Sequence, residues 1–201
     1  MNPHFIFNSL TNIQHYIFNK DSLAAGKYLA VFAKLMRSIL NNSRKEIITL
    51  REEIEKIRQY LDLQKLRMED KLDYELIVDE KLDIEITEIP PMLAQPFIEN
   101  AIEHGIRHKE TTGHIYIRFL LKDNKIHCEV EDDGVGREKA WATEFHKEKT
   151  HKSLATTIIT ERIRAINKRM KQKIRLNIID LKSEQNEALG TKVVIDLPLI
   201  R

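Results

Sequence analysis

A histidine stands at position 4 of the chain, in the segment Asn-Pro-His-Phe. An imidazole with its ordinary pKa near about 6.5 is mostly neutral around neutral pH, and a neutral, exposed and firmly mounted ring nitrogen can act as a nucleophile. Pro3 and the apolar segment 5–7 could provide the mount for His4. The alternative interpretation is that His4 is a frayed terminal residue.

A second group of polar residues lies on the segment PFIENAIEHG, residues 96–105. At helical spacing its apolar residues form one face, and the opposite face carries Asn100, Glu103 and His104, with Glu99 beside Glu103. The amide oxygen of Asn100 could bind a hard cation such as Mg²⁺, which takes few protein oxygens together with phosphate and water. The alternative is a surface helix whose polar face meets solvent.

A third group is the segment EDDGVG, which directly follows an alternating stretch. Asp132 offers a carboxylate that could accept a hydrogen bond from an exocyclic amine such as that of adenine. Gly134 and Gly136 would let the backbone approach a flat ligand. A weaker glycine turn, Gly190-Thr191, precedes the last alternating stretch. Acidic glycine turns are also common connections, so each segment is a weak signal by itself.

Residues 1–70 form the part of the chain that contains and must position His4. The spacing of their apolar residues predicts helices with no strand. Apolar residues recur every three or four positions up to Ile17 and again up to Ile39. Thr49 and Glu52 match a capping box, in which each side chain satisfies a backbone N–H of the other. The next helix carries an apolar seam that could pack within the chain or across the two-fold axis of a dimer. The seam consists of Leu50, Ile54, Ile57, Leu61, Gln64 and Met68.

After residue 70 the pattern changes to alternating stretches and further helices. Alternation of apolar and polar residues predicts half-buried strands, two of them joined by a turn at 122–125. Helices followed by a mixed layer of strands and helices predict an α+β protein with a domain boundary near residue 70. The predicted strands are 72–78, 115–121, 126–131, 174–180 and 192–197, and the predicted helices are 92–106 and 153–171.

The composition argues against several classes of protein. The 201 residues include 33 basic and 31 acidic side chains, and the formal net charge of +2 gives no bulk attraction to nucleic acid or to anionic membranes. The helix of residues 50–68 alternates acids and bases without the basic stripe of a DNA-binding helix. A single cysteine, Cys128, excludes an intramolecular disulfide. No apolar run approaches the roughly 20 residues of a membrane helix, so we expect a cytoplasmic protein or fragment.

Four segments in this order make the chain resemble a known family. They are NPHFIFNSL, IPPMLAQPFIENAIEHG, EDDGVG and GTKVVIDLPL. Together they are similar to the cytoplasmic core of LytS-like sensor histidine kinases, and the similarity covers essentially the whole chain. The resemblance implies that residues 1–70 form a helical dimerisation and histidine phosphotransfer region. It also implies that residues 71–201 form an ATP-binding catalytic domain, a two-layer α/β sandwich of the GHKL type.

The resemblance further implies roles for the residues introduced above. His4 would accept the γ-phosphate of ATP, Asn100 would hold Mg²⁺, and Asp132 would bind the adenine amine. Asn8, one turn after His4, would position water for dephosphorylation of a partner regulator. The remaining candidates for the nucleotide site are Gly134 and Gly136 beside the base, Gly190 and Thr191 near the floor of the pocket, and His104 on the polar face of 96–105.

Three features depart from the wider histidine kinase pattern. Phe5 stands where many relatives have an acid, so a general base would be Glu99 or Glu103, or none is needed because the ring is already neutral. Glu103 also stands where a lysine or arginine often neutralises phosphate. The lid at 151–156 lacks glycines. The candidates for holding phosphates there are Lys152, Ser153 and the first backbone amides of the following helix.

The leading hypothesis is an ATP- and Mg²⁺-dependent protein histidine kinase that phosphorylates His4 and passes the group to an aspartate of a response regulator. The family implies a LytTR-type regulator, a homodimer, and a membrane anchor upstream of this cytoplasmic portion; no nucleic-acid partner is expected. The second hypothesis is a nucleotide-binding, catalytically weak or degenerate kinase-like signalling module. The glycine-poor lid and Glu103 favour the module, whereas His4, Asn100 and Asp132 favour the kinase.

Overall fold

Three helices form the amino-terminal part of the chain in a computed structural model, which describes residues 3–42, 45–68, 71–137, 151–169 and 173–200. The side chains of residues 3, 4, 42, 151–158 and 169 lie outside this description. The helices are α1 (Pro3–Phe18), α2 (Ser22–Asn42) and α3 (Leu50–Met68), as predicted. The prediction that this part has no strand was wrong, because Ile48 and Thr49 form a two-residue strand, β1, that pairs with a distant segment.

The start of α3 has the predicted capping box. The backbone N–H of Glu52 donates to Thr49 Oγ1 at 3.2 Å, and the backbone N–H of Thr49 donates to Glu52 Oε2 at 3.1 Å. Caps of this kind stabilise a helix by about 1 kcal/mol. Lys45 donates to Glu52 Oε1 at 2.7 Å and lowers the pKa of that carboxyl. The helix therefore begins where its sequence predicts.

The apolar seam of α3 is buried inside the chain. Leu50, Ile57 and Leu61 have no exposed surface, and α3 packs against α2. The polar member of the seam, Gln64, is also buried and donates its Nε2 to Tyr60 Oη at 2.8 Å. The seam thus serves packing within the chain, which was the first of the two alternatives.

Apolar side chains of α1 and α2 are divided between the core and the surface. Phe5, Ile13, Tyr28 and Leu35 are buried. The exposed large apolar side chains of α1 lie within an arc of about 100° around the helix axis. The exposed apolar side chains of the two helices are Phe7, Leu10, Ile17, Phe18, Leu23, Leu29 and Leu40. Among the described residues of the three helices, the exposed large apolar side chains therefore lie on α1 and α2 rather than on α3.

The strands of the second part are β2 (Leu72–Val78), β3 (Glu88–Ile89), β4 (Gly113–Lys122), β5 (Lys125–Asp132), β6 (Arg175–Lys182) and β7 (Ala188–Pro198). Five of them were predicted, and the short β3, which pairs with β1, was missed. The main sheet has the order β2-β4-β5-β7-β6. β2 and β4 are parallel, and the other neighbours are antiparallel. The predicted turn between β4 and β5 is confirmed, with positive φ at Asp123 and Asn124.

Helical segments form the second layer. They are α4 (Gln95–Asn100), a π-helical turn (Ala101–Gly105), a 3-10 turn (Ile106–His108) and α5 (His151–Arg169). The single helix predicted over 92–106 is thus divided into three parts, and it starts later because Met92 has a φ of 57°. The π-helical turn lies against β5 and β7.

One hydrophobic core joins the helices and the sheet. Ile115, Ile117 and Phe119 alternate along β4 as buried residues, and Ile98 of α4 belongs to the same cluster. The seam of α3 is also part of this cluster, so α3 shares its core with the sheet that follows residue 70. Within the described ranges, no helix combines the length and the apolar character that crossing a membrane requires.

Candidate functional site

Asp132 is the last residue of β5, and its side chain is only 6% exposed. Its Oδ1 accepts a hydrogen bond from the backbone N–H of Gly134 at 2.9 Å, and the backbone N–H of Thr191 also stabilises the carboxylate. The neighbouring Asp133 is less buried and accepts a hydrogen bond from the backbone N–H of His114 at 2.7 Å. The structure therefore distinguishes the two acids of EDDGVG, and Asp132 is the one enclosed at the end of the strand.

The carboxyl group of Asp132 binds its proton more tightly than an ordinary aspartate. Burial raises the pKa of Asp132 to about 7, and the negative charge of Asp133 adds to the increase. The backbone N–H groups of Gly134 and Thr191 and the charge of Lys109 oppose this effect without cancelling it. In its ionised form such a buried carboxylate is a strong hydrogen-bond acceptor.

Gly105 and Gly134 meet in a close contact beside Asp132. A Cβ atom on Gly134 would lie 2.5 Å from Gly105 Cα, and a Cβ atom on Gly105 would lie 2.9 Å from Asp132 Oδ1. Only glycines allow the two backbone segments to approach this closely. The sequence prediction missed Gly105, although its place at the end of the asparagine-bearing segment was a signal.

Gly190 brings β7 against the end of β5. It has a φ of 130°, and a Cβ atom there would lie 1.8 Å from the backbone oxygen of Asp132. Thr191 pairs with Asp132 in the β5–β7 ladder. Gly136 has a φ of 76° and faces Ala188 at the start of β7. The structure thus brings the acidic glycine segment and the Gly190-Thr191 turn into one group, which the sequence could place only on separate segments.

Asn100 is the last residue of α4, and its side chain is half-buried. His104 lies in the π-helical turn that ends at Gly105, so both side chains belong to the segment that touches Asp132. Turns of this type inside helices are frequent at functional sites. Among the residues that the structure describes, no three His, Cys, Asp or Glu side chains form a metal cluster. The amide oxygen of Asn100 is a ligand of the type that Mg²⁺ accepts in proteins.

Glu103 binds two arginines. Its Oε1 accepts a hydrogen bond from Arg67 at 2.7 Å, and its Oε2 accepts one from Arg107 at 3.0 Å. Burial alone would raise the pKa of Glu103, but the two guanidinium groups lower it below its ordinary value. This arrangement favours a role in holding cations over a role as general base. It also places the positive charge of Arg67, a residue of α3, next to position 103. The sequence carries no signal for this role of Arg67.

Glu99, the other candidate base, lies on α4 and is half-buried. Its Oε1 accepts a hydrogen bond from Gln95 Nε2 at 3.3 Å. Asn8 is part of α1 and lines a groove together with Arg67 and Arg107. Neither Glu99 nor Asn8 belongs to the group around Asp132.

Three predicted residues have side chains outside the described part of the chain. His4 lies in the first turn of α1. Lys152 and Ser153 lie in the first turn of α5, and the side chains of the whole predicted lid, 151–156, are also outside the described part of the chain.

Comparison with known sequences finds sensor kinases. A family model described as "Histidine kinase" matches residues 1–72. Sensor protein LytS of Bacillus cereus is 26% identical over 98% of this chain and 32% of its own length. Sensor protein LytS of Oceanobacillus iheyensis is 30% identical over 76% of this chain and 26% of its own length. Sensor histidine kinase BtsS of Escherichia coli is 31% identical over 66% of this chain and 23% of its own length.

Solved structures share the fold. The histidine kinase domain of the Erythrobacter litoralis EL346 blue-light activated histidine kinase has a TM-score of 0.52 at 16% identity, covering 88% of this chain and 75% of that chain. The nucleotide-free catalytic domain of histidine kinase ThkA has a TM-score of 0.50 at 14% identity, covering 76% of this chain and 94% of that domain. At these identities the likeness concerns the fold alone.

The fold is therefore the α+β, GHKL-type fold of histidine kinase catalytic domains, preceded by helices. By its sequence the chain is more particularly similar to part of LytS-like sensor histidine kinases. It spans between 22% and 32% of the length of the LytS relatives that it matches.

Proposed function

We propose that this chain is the catalytic core of a two-component sensor kinase, which uses ATP and Mg²⁺ to phosphorylate His4 and then transfers the phosphoryl group to an aspartate of a response regulator. Residues 1–70 would provide the phosphotransfer helices and residues 71–201 the nucleotide-binding domain. The family match that ends at residue 72 supports this division. Phosphoryl transfer requires mainly alignment and charge neutralisation from the protein, which suits a site of this kind.

The observation that carries the proposal is the enclosed carboxylate of Asp132 beside two glycines with no room for a Cβ atom. We infer that this group of residues, the cradle, receives the adenine ring, because the carboxylate can accept a hydrogen bond from the adenine amino group. The bound nucleotide supplies the phosphoryl group, and the magnesium ion neutralises part of its charge. Asn100 would hold that ion, since it belongs to the segment that borders the cradle.

His4 is the proposed nucleophile, and its replacement is the direct test. We expect incubation with labelled ATP and Mg²⁺ to give an acid-labile phosphoprotein, and we expect His4→Gln to reduce the labelling to background because glutamine has no nucleophilic ring nitrogen. The matched control is His15→Gln, which replaces an exposed histidine of the same helix and should leave the labelling unchanged. Equal labelling of the His4→Gln variant and the wild type would contradict the assignment. Binding of ATP without labelling of the wild type would instead support the nucleotide-binding module.

Asp132 predicts a pH dependence of nucleotide binding. The proton on a group with a pKa of about 7 must leave before the carboxylate can accept from the adenine amine. Affinity should therefore be greatest above this pKa and should fall by roughly tenfold for each unit of pH below it. Calorimetric titration with ADP and Mg²⁺ at a series of pH values measures this effect. The nucleotide phosphates titrate in the same way with the wild type and with the Asp132→Asn variant. The variant should therefore lose only the pH dependence that comes from Asp132, together with most of its affinity.

A homodimer and a response regulator are the proposed partners. The exposed apolar face of α1 and α2, which includes Phe7, Leu10 and Ile17, has the character of a surface that a second copy could cover. A receiver domain, of the LytTR type in the family expectation, would take the phosphoryl group from His4. We further propose that the chain is the cytoplasmic portion of a longer, membrane-anchored sensor, in line with the limited share of the LytS relatives that it spans.

A further inference from the structure

A groove separates α1 from the end of α3 and the 3-10 turn. It is distinct from the cradle at Asp132. Its lining residues are Asn8, Thr11, Asn12, Arg67, Met68 and Arg107. One wall is therefore polar and uncharged, and the other wall carries two arginines from different elements.

The arginine wall has a net positive charge. Glu103 accepts one hydrogen bond from each of Arg67 and Arg107, and it is absent from the residues that line the groove. A guanidinium group has five N–H donors, and these ion pairs use one nitrogen of each. Arg67 is held firmly, since its side chain is 13% exposed, whereas Arg107 is 58% exposed. Glu103 thus fixes two cations side by side while neutralising only part of their charge.

The α1 wall is held by its own hydrogen bonds. Thr11 donates its hydroxyl to the backbone oxygen of Phe7 at 3.0 Å. Asn12 donates its Nδ2 to Tyr28 Oη at 3.3 Å. The Thr11 hydroxyl and one amide N–H of Asn12 are thus engaged within the protein, and the charged donors in the groove are the guanidinium groups.

The elements that form the groove also carry two residues of the proposed reaction, the nucleophile His4 and the proposed Mg²⁺ ligand Asn100. Positions 4, 8 and 12 follow one another by single turns along one face of α1, with a rise of about 6 Å per step. His4 therefore precedes Asn8, a lining residue of the groove, by one turn of α1. Glu103, which holds the two arginines of the opposite wall, follows Asn100 by less than one turn of the same segment.

We propose that this groove is a binding site for a phosphoryl group, with Arg67 and Arg107 as its ligands and Glu103 as the residue that positions them. The chemistry recognised is a compact phosphate dianion, for which paired guanidinium groups are well suited. Two sources could supply it, the γ-phosphate of bound ATP and the phosphorylated His4, and this part of the inference rests on the proposed function.

Titration with inorganic phosphate at constant ionic strength tests the site without any need for nucleotide or for phosphorylation. Nuclear magnetic resonance of the arginine Nε–H groups should show saturable shifts for Arg67 and Arg107. Arg107→Gln should weaken phosphate binding by about tenfold or more, since it removes a charged donor at an exposed position. The matched control is Arg51→Gln, an exposed and ion-paired arginine at the other end of α3, which should bind phosphate as the wild type does. No saturable shift, or equal affinity in Arg107→Gln, would overturn the proposal.

The source of the phosphoryl group is then separated by two further titrations. In the His4→Gln variant, shifts at Arg67 and Arg107 with ATP and Mg²⁺ but not with ADP and Mg²⁺ identify the γ-phosphate. Shifts in phosphorylated wild-type protein after removal of nucleotide identify phosphorylated His4. If inorganic phosphate binds but neither source moves these signals, the groove holds an adventitious ion only, and the proposal fails. Failure of the kinase proposal alone would leave the phosphate titration and the effect of Arg107→Gln intact.

Discussion

Replacing Lys56 by methionine is expected to lower the free energy of unfolding by about 3–5 kcal/mol, because it leaves the buried carboxylate of Glu53 without its partner. Both side chains are 1% exposed, and Lys56 Nζ donates to Glu53 Oε2. Urea denaturation followed by circular dichroism measures the change.

The Lys56→Met substitution should also disturb the segment just before α4, the helix that carries Asn100. The carboxylate of Glu53 accepts the backbone N–H of Met92, with distances of 3.0 and 3.1 Å to its two oxygens. Arg162 of α5 donates to the backbone oxygen of Pro91 at 2.6 Å. These contacts hold Met92 in its left-handed conformation just before α4, a conformation that costs about 1–3 kcal/mol without such support. We therefore expect the Lys56→Met variant to bind nucleotide more weakly as well.

Two controls separate the loss of the pair from other effects of Lys56→Met. Lys65→Met removes an exposed lysine of the same helix, paired with Asp73 at 2.8 Å, and should cost less than about 1 kcal/mol. The double variant Glu53→Gln/Lys56→Met removes both charges but keeps an acceptor for the N–H of Met92, so most of the stability should return. A loss in Lys56→Met no larger than that in Lys65→Met would show that the pair contributes little.

Replacing Gly190 by alanine is the second substitution for which we expect a large effect, both on the free energy of unfolding and on nucleotide affinity. The new Cβ atom would lie 1.8 Å from the backbone oxygen of Asp132 and 3.0 Å from Asp133 Cα, at a φ of 130° that alanine rarely adopts. Because both atoms are backbone, the end of β5 must move away from β7. We expect a loss of about 2–5 kcal/mol in the free energy of unfolding, from crowding and backbone strain together. Nucleotide affinity should fall by more than about tenfold, since Asp132 moves with the strand.

The matched control for this substitution is Gly26→Ala. A Cβ atom on Gly26 meets nothing within 4 Å, and the residue lies in α2, so alanine should stabilise the protein by about 0.5–1 kcal/mol. Chemical denaturation of both variants, with calorimetric titration of ADP and Mg²⁺, compares them directly. Wild-type affinity in Gly190→Ala would mean that the close contact between β5 and β7 is not needed to shape the nucleotide pocket.

Features that depend on neighbouring residues could be predicted from the sequence. The Thr49–Glu52 cap and the turn at 122–125 form as expected because their hydrogen bonds and backbone conformations involve residues only a few positions apart. The alternation in Leu72–Val78 likewise predicts a half-buried strand. The prediction that Asp132 lies at the end of a strand is confirmed, because the alternation that predicts this strand also involves neighbouring residues.

Features that depend on which distant segments meet could not be predicted in this way. Glu53 and Lys56 have the spacing of a solvent-exposed helical pair, yet both are buried, and the backbone N–H of Met92, which is distant in the sequence, donates to Glu53. The seam of α3 was equally compatible with packing inside the chain and with a dimer, because periodicity identifies an apolar face without naming the surface that covers it.

The sequence by itself determined the types of chemistry in this protein: a histidine near the first helix, an amide on the 96–105 segment and a carboxylate before two glycines. Tertiary structure alone decided that Gly105 touches Gly134 and that Arg67 reaches Glu103. The physical reason is that helices and turns form through local hydrogen bonds, whereas burial, pKa and ion pairing depend on which segments far apart in the chain pack into one core.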